Sequence, residues 1–146
     1  MVSDAQALLP AATQAGNRTI GAVWLDAVAA RHAAPPYRVE TNAGWRPVSW
    51  DEADAAVREL ANGLLALGIG HGDRVAILCS TRLEWCLLDF ALALTGATSV
   101  PVYPSSSARE VAYVLGHAGV VAVVAETPQQ VETVAAARRE LPCLRH

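Results

Sequence analysis

From Arg74 onward the chain settles into strict alternation of short apolar runs and helical stretches, and no other feature limits its fold so tightly. Val75-Ala76-Ile77-Leu78, residues 99–102 and residues 120–125 read as strands, the second broken by Pro101 and the third wholly apolar. Residues 83–95 and 107–118 lie between them at helical spacing, closed by Gly96 and Gly119. A strand that is apolar at every position has no side suited to water, so it belongs in a parallel sheet covered on both faces. The expected fold class is therefore α/β: a three-layer, mainly parallel sheet with helices on both faces.

The elements upstream fit beside that unit. Thr19 can cap a helix over residues 20–32, whose apolar positions Ile20, Val23, Trp24, Ala27 and Val28 share a face. Residues 33–36 end it. Two β-like runs, 37–40 and 45–48, flank Thr41-Asn42-Ala43-Gly44 and read as a hairpin packed at the sheet's edge. Ser49-Trp50-Asp51-Glu52 is a capping box, and Ser107-Ala108-Arg109-Glu110 is a second. The helix after Ser49 carries Ala53, Val57, Leu60, Ala61, Leu64 and Leu67 on one face and stops at Gly68. Thr127 caps a last helix that begins with Pro128 in the favoured first position. Cys143-Leu144 reads as the start of a fourth strand. Residues 1–17 show no period and are expected to form a flexible leader.

The helix at 83–94 is apolar almost all round, with Glu84 and Asp89 its only charges. Such a helix is buried on more than one side, and the expectation is that protein beyond this unit supplies the cover. The chain is accordingly read as an incomplete subdomain, a part of something larger.

Composition excludes several classes. A net charge of −3 gives no basic footprint, so nucleic acid is not an expected partner. Residues 1–17 contain no basic residue and include Asp4, unlike a secretory signal. The most apolar run, residues 85–94, is interrupted by Asp89 and is far shorter than the ~20 residues needed to span a bilayer. Cys79, Cys86 and Cys143 lack metal-site spacing and are expected to be small buried apolar residues in a reducing cytosol. The protein is expected to be soluble and cytoplasmic.

Candidate chemistry is sparse. Gly68-Ile69-Gly70-His71-Gly72 has the glycines of a phosphate loop, but it follows a helix and precedes a strand. A phosphate loop needs the reverse order, so that helix amides face the anion, and the run is read as a helix stop and turn. Tyr103-Pro104-Ser105-Ser106-Ser107 follows a strand and opens a helix, at the edge where α/β sheets bind ligands. Ser107 is already committed to its capping box, so a structural turn is preferred to an anion site. His32, His71, His117 and His146 are scattered, and none lies beside a nucleophile. His117 has a sufficient role near a helix C-terminus. No catalytic, cofactor-binding or metal-ligating residue is assigned.

Several of these runs, in this order, resemble the early part of AMP-forming acyl-CoA synthetases of the adenylate-forming superfamily. They are Trp45-Arg46-Pro47-Val48-Ser49-Trp50, then Gly72-Asp73-Arg74-Val75-Ala76-Ile77-Leu78 with Arg82-Leu83-Glu84-Trp85. The run from Gly96 through Tyr103-Pro104-Ser105-Ser106-Ser107 to Tyr113 and Leu115, and the strand at 120–126, continue the likeness. It covers roughly residues 19–140, and the Tyr-Pro-Ser-Ser-Ser flavour is nearest to long-chain fatty acid–CoA ligases. The resemblance implies that residues 18–146 are the N-terminal portion of an AMP-binding domain. It also implies a full-length enzyme that joins a fatty acid to coenzyme A, using Mg-ATP and releasing AMP and pyrophosphate. The family's phosphate loop and catalytic lysine map onto no position here, and all 11 basic residues of this chain are arginine. A segment that needs the remainder of the ligase, and is inactive alone, is the expectation. A fragment of a short-chain or amino acid activating relative, or a non-enzymatic module on the same fold, is the alternative. Trp85, which might be offered as an acyl-pocket wall, is read as a core residue of its helix.

Overall fold

The computed structural model describes residues 18–146, so the leader expected over 1–17 lies outside the described residues. Thr19 caps α1 (Ile20–Ala29) by accepting from the Ala22 amide at 3.1 Å. The helix is one turn shorter than its pattern suggests, because Arg31 takes a left-handed φ of 49°. A hairpin of β1 (Tyr37–Thr41) and β2 (Gly44–Val48) follows, in antiparallel register with Thr41 opposite Gly44. Next come α2 (Trp50–Ala66), β3 (Arg74–Leu78), α3 (Leu83–Thr95), β4 (Thr98–Val102), α4 (Ala108–Ala118), β5 (Ala122–Ala125) and α5 (Pro128–Ala137).

The three strands β4-β3-β5 form a parallel sheet with β3 in the middle. One face carries α1, α2 and α3 around a core of Trp24, Val57, Leu64, Ile77 and Leu92. The other carries α4 and α5 around Ala76, Leu78, Val111, Leu115 and Val134. Successive residues of β3 therefore serve opposite cores, as the twofold period of a strand requires. The expected three-layer α/β architecture is present.

Both capping boxes form: the Glu52 amide donates to Ser49 Oγ at 3.2 Å and the Ser49 amide to Glu52 Oε2 at 2.8 Å. The Glu110 amide donates to Ser107 Oγ at 3.3 Å and the Ser107 amide to Glu110 Oε2 at 2.7 Å. Thr127 caps α5 as its sequence suggests, with Gln130 completing the box.

Six expectations need correction. Pro101 does not break its strand; β4 lies at the sheet's edge, where a proline costs no ladder hydrogen bond, and Pro101 sits opposite Ile77 in register. Cys143-Leu144 is not a strand but part of a turn, with Leu144 buried under the second core. The hairpin forms a two-stranded sheet of its own and packs on the first core rather than at the main sheet's edge. Its Tyr37 and Val39 pack into the first core, beside Leu83 at the start of α3. On α2, Ala53, Val57, Ala61 and Leu64 are buried, but Leu60 is exposed and Leu67 is 54% exposed, because these two lie at the margin of the stripe. On α1, Ile20 and Val23 are exposed, and Gly21 and Trp24 make the buried face.

The sixth concerns α3. Much of its apolar surround is covered within the chain: α2 packs along one flank, α1 along another, and the sheet lies beneath, while Leu83, Trp85 and Phe90 stay partly buried. Trp24 of α1 is the anchor. Its ring lies 4.4 Å from Phe90 and 5.9 Å from Trp50, and its indole N–H donates to Asp54 Oδ1 at 3.1 Å. Gly21 lets α1 approach closely, since a Cβ there would stand 3.0 Å from the Ala93 carbonyl oxygen. Leu87, Leu88, Ala91, Leu92 and Leu94 are all buried as a result.

Candidate functional site

In a parallel sheet the loops after the strands collect at one edge, where ligands bind most often. Here that edge is made by Cys79–Arg82 after β3, Tyr103–Ser107 after β4 and Glu126 after β5. The central position of β3 brings the first and third together. Glu126 Oε2 accepts from the Ser80 amide at 2.8 Å and the Ser80 hydroxyl at 2.7 Å. Its Oε1 accepts from Arg82 Nη1 at 3.0 Å. Arg82, the residue before α3, also grips Glu84 through two nitrogens, at 2.7 and 3.0 Å.

These contacts set the local electrostatics. The Ser80 amide, then its hydroxyl, then the Arg82 guanidinium stabilise ionised Glu126 and bring its carboxyl down to about 2. Arg82 holds Glu84 below the usual carboxylate range, and both carboxylates keep the guanidinium charged. Cys79 next door moves the other way: partial burial first, then the Glu126 carboxylate, raise its thiol, so it is a poor source of thiolate. A cavity of about 220 Å³ opens beside the cluster, walled by Ile77, Trp85, Leu88, Val124 and Ala125.

One guanidinium between two carboxylates leaves this cluster with net charge −1, which repels a polyphosphate. Its geometry suits clasping the β3–α3 turn to the end of β5. Among the described residues, no group of three or more His, Cys, Asp or Glu side chains could hold a metal ion.

The residues weighed in the sequence fall as follows. Tyr103 is 81% exposed, the Ser106 amide closes a turn onto the Tyr103 carbonyl at 3.0 Å, and the Glu110 carboxylate covers the first turn of α4 through Ser107. In the loop 68–72, the Gly70 amide donates to Asp73 Oδ2 at 3.0 Å and the Gly72 amide to the Gly96 carbonyl at 3.1 Å, which are turn contacts. His32 lies tilted against Trp50 and His117 stacks on Tyr113, both with ring centroids 5.6 Å apart. Trp85 is half-buried, packed against the core and lining the cavity. Cys79 and Cys86 are half-buried, but Cys143 is exposed, against the expectation of three buried thiols.

The Ser80–Arg82–Glu126 cluster was missed in the sequence. Its members lie 44 and 46 residues apart, and only the strand order brings them together. The one local signal is a polar residue just past each of two apolar strands, Glu126 directly after β5 and Ser80 two residues after β3.

Comparison with known proteins gives a consistent answer. The model of the family described as "AMP-binding enzyme" matches residues 25–145. Over 101 residues the chain is 43% identical to the long-chain-fatty-acid–CoA ligase FadD15 of Mycobacterium bovis, a match covering 69% of this chain and 17% of that protein. Among solved structures, a fatty acyl CoA synthetase of Mycobacterium tuberculosis superposes with a TM-score of 0.69 at 28% identity, over 82% of this chain and 23% of that one. Apo MatB of Rhodopseudomonas palustris gives 0.71 at 27% identity, over 84% and 24%. The chain thus spans about a sixth of the length of the ligase it matches at 43% identity and about a quarter of these structures. With the family model matched over most of its length and the parallel sheet in place, this chain belongs to the AMP-binding enzyme family.

Proposed function

We propose that this chain is the N-terminal portion of a cytoplasmic, ATP-dependent long-chain fatty acid–CoA ligase, a scaffold that carries no part of the adenylation chemistry. The observation that carries this reading is the 43% identity to the FadD15 ligase, in a segment amounting to 17% of that enzyme. In the complete reaction, fatty acid and Mg-ATP give an acyl-adenylate and pyrophosphate, and coenzyme A then takes the acyl group. That chemistry rests on cations and amides fixed around a transferring phosphorus centre. Two features support a supporting role for this segment. All of its basic residues are arginine, so it offers no lysine to the phosphates. Arg82, an arginine at the sheet's carboxyl edge, is already shared between Glu84 and Glu126.

What this segment contributes is shape. It builds one wall of the sheet's carboxyl edge, holds the β3–α3 turn by the Glu126 clasp, and buries α3 as a rigid strut. Purified chain mixed with ATP, magnesium, labelled pyrophosphate and palmitate is expected to show no fatty acid-dependent exchange above background. Exchange by the chain alone would overturn the reading.

A further inference from the structure

The hairpin is a two-stranded sheet, so β1 and β2 each have one outer edge with no strand beside it among the described residues. Pro47 lies opposite Arg38 and has no amide to give, which makes theirs a pair without ladder hydrogen bonds. Alternation then places the bonded pairs at Tyr37 with Val48, Val39 with Arg46 and Thr41 with Gly44. The amides and carbonyls of Arg38 and Glu40 therefore point away from β2, along the outer edge of β1.

The two outer edges differ. On β2 the outward groups belong to Trp45 and Pro47. Pro47 lacks a donor, and its carbonyl already accepts from Arg46 Nη1 at 3.3 Å, so that edge is poorly suited to strand addition. Beside β1 a cleft of about 580 Å³ opens between the hairpin and Arg82, Leu83 and Glu84. Arg38 and Glu40 are exposed, and among the described residues neither side chain forms an ion pair.

The charges on this edge are self-complementary. Arg38 and Glu40 stand two residues apart, so their side chains share one face of β1. Laid antiparallel against a second copy with Val39 opposite Val39, each Arg38 meets a Glu40 in a hydrogen-bonded pair. Sliding the register by two residues sets Arg38 against Arg38 or Glu40 against Glu40, and sliding by one turns the side-chain faces over. Trp45, 66% exposed and opposite Glu40 on the outward face of the hairpin, would flank each ion pair.

We propose that the outer edge of β1 pairs with the same edge of a second copy of this chain, antiparallel and centred on Val39, joining two hairpins into one four-stranded sheet. The interface is isologous, and strand addition of this kind draws its affinity from main-chain hydrogen bonds and its register from the side chains. Both edges of the joined sheet are then β2 edges carrying Pro47, so assembly stops at two. The claim concerns the hairpin alone and is independent of the ligase reading.

Sedimentation of the full 146-residue chain at rising concentration is expected to show a reversible monomer–dimer equilibrium. Arg38→Glu or Glu40→Arg alone places two like-charged pairs in the interface, and each should weaken dimerisation about tenfold. Arg38→Glu combined with Glu40→Arg reverses every charge, and should dimerise within about threefold of wild type. Mixing the two single variants should yield a heterodimer about tenfold tighter than either variant's own dimer, because opposite charges then meet at both sites. Both positions are exposed, and thermal melting of each variant confirms that it folds. A chain that stays monomeric up to roughly 1 mM would overturn the proposal. So would a dimer that the single variants leave unchanged, or one they weaken that neither the charge reversal nor the mixture restores.

Discussion

Glu126 shows how much one side chain settles at the carboxyl edge. Its carboxylate is held by three donors from a turn 44 to 46 residues earlier, so it fixes where β3 ends relative to β5. The pH dependence follows from its depressed folded value of about 2, against an ordinary 4.5. A carboxyl whose pKa is lower in the folded state stabilises the fold above the ordinary value and loses that contribution as pH falls toward the folded value. The melting temperature of the wild type should therefore drop between about pH 4.5 and 2, and Glu126→Gln should show a flatter curve there. Some slope should remain, because Glu52, Glu84 and Glu110 are also lowered by their partners. Identical curves for variant and wild type would contradict the clasp. Gly96 supplies a second residue-scale test. It caps α3 at φ 77°, and a Cβ there would stand 2.9 Å from His71 Nδ1. Gly96→Ala should cost about 1–3 kcal/mol by urea denaturation, from left-handed strain and the crowded imidazole.

At the scale of elements, the helices were legible because their signals are local. The Ser49/Glu52 and Ser107/Glu110 boxes need only three residues of separation, and both form at the expected positions. Each apolar strand run was also readable. What could not be read was anything that depends on which strand sits beside which. Pro101 looked like a break because the order of the strands is not written in the sequence, and the edge position of β4 removes the conflict. The cover over α3 was misjudged for a related reason: nothing in the sequence of α1 says that Trp24 reaches Phe90, Trp50 and Asp54 at once. This packing is testable. Leu92 is fully buried where α3 meets the sheet and neighbouring helices, so Leu92→Ala should cost about 2–5 kcal/mol. Leu67→Ala, at the end of α2 and 54% exposed, should stay within about 0.5 kcal/mol in the same urea titration.

Over the whole molecule, the sequence supported the fold class and the family likeness but no catalytic site, and the reason is physical. In the Arg82, Glu84 and Glu126 cluster at the sheet's carboxyl edge, the charged groups are spent on each other. The most direct measurement is made by replacing the matched segment of the Mycobacterium bovis FadD15 ligase with the corresponding residues of this chain and assaying fatty acid-dependent ATP–pyrophosphate exchange. If this chain is a scaffold of that enzyme class, a folded chimera should retain exchange within about an order of magnitude, a barrier change near 1.4 kcal/mol. A chimera that folds and binds ATP yet shows no exchange with any long-chain fatty acid would contradict it.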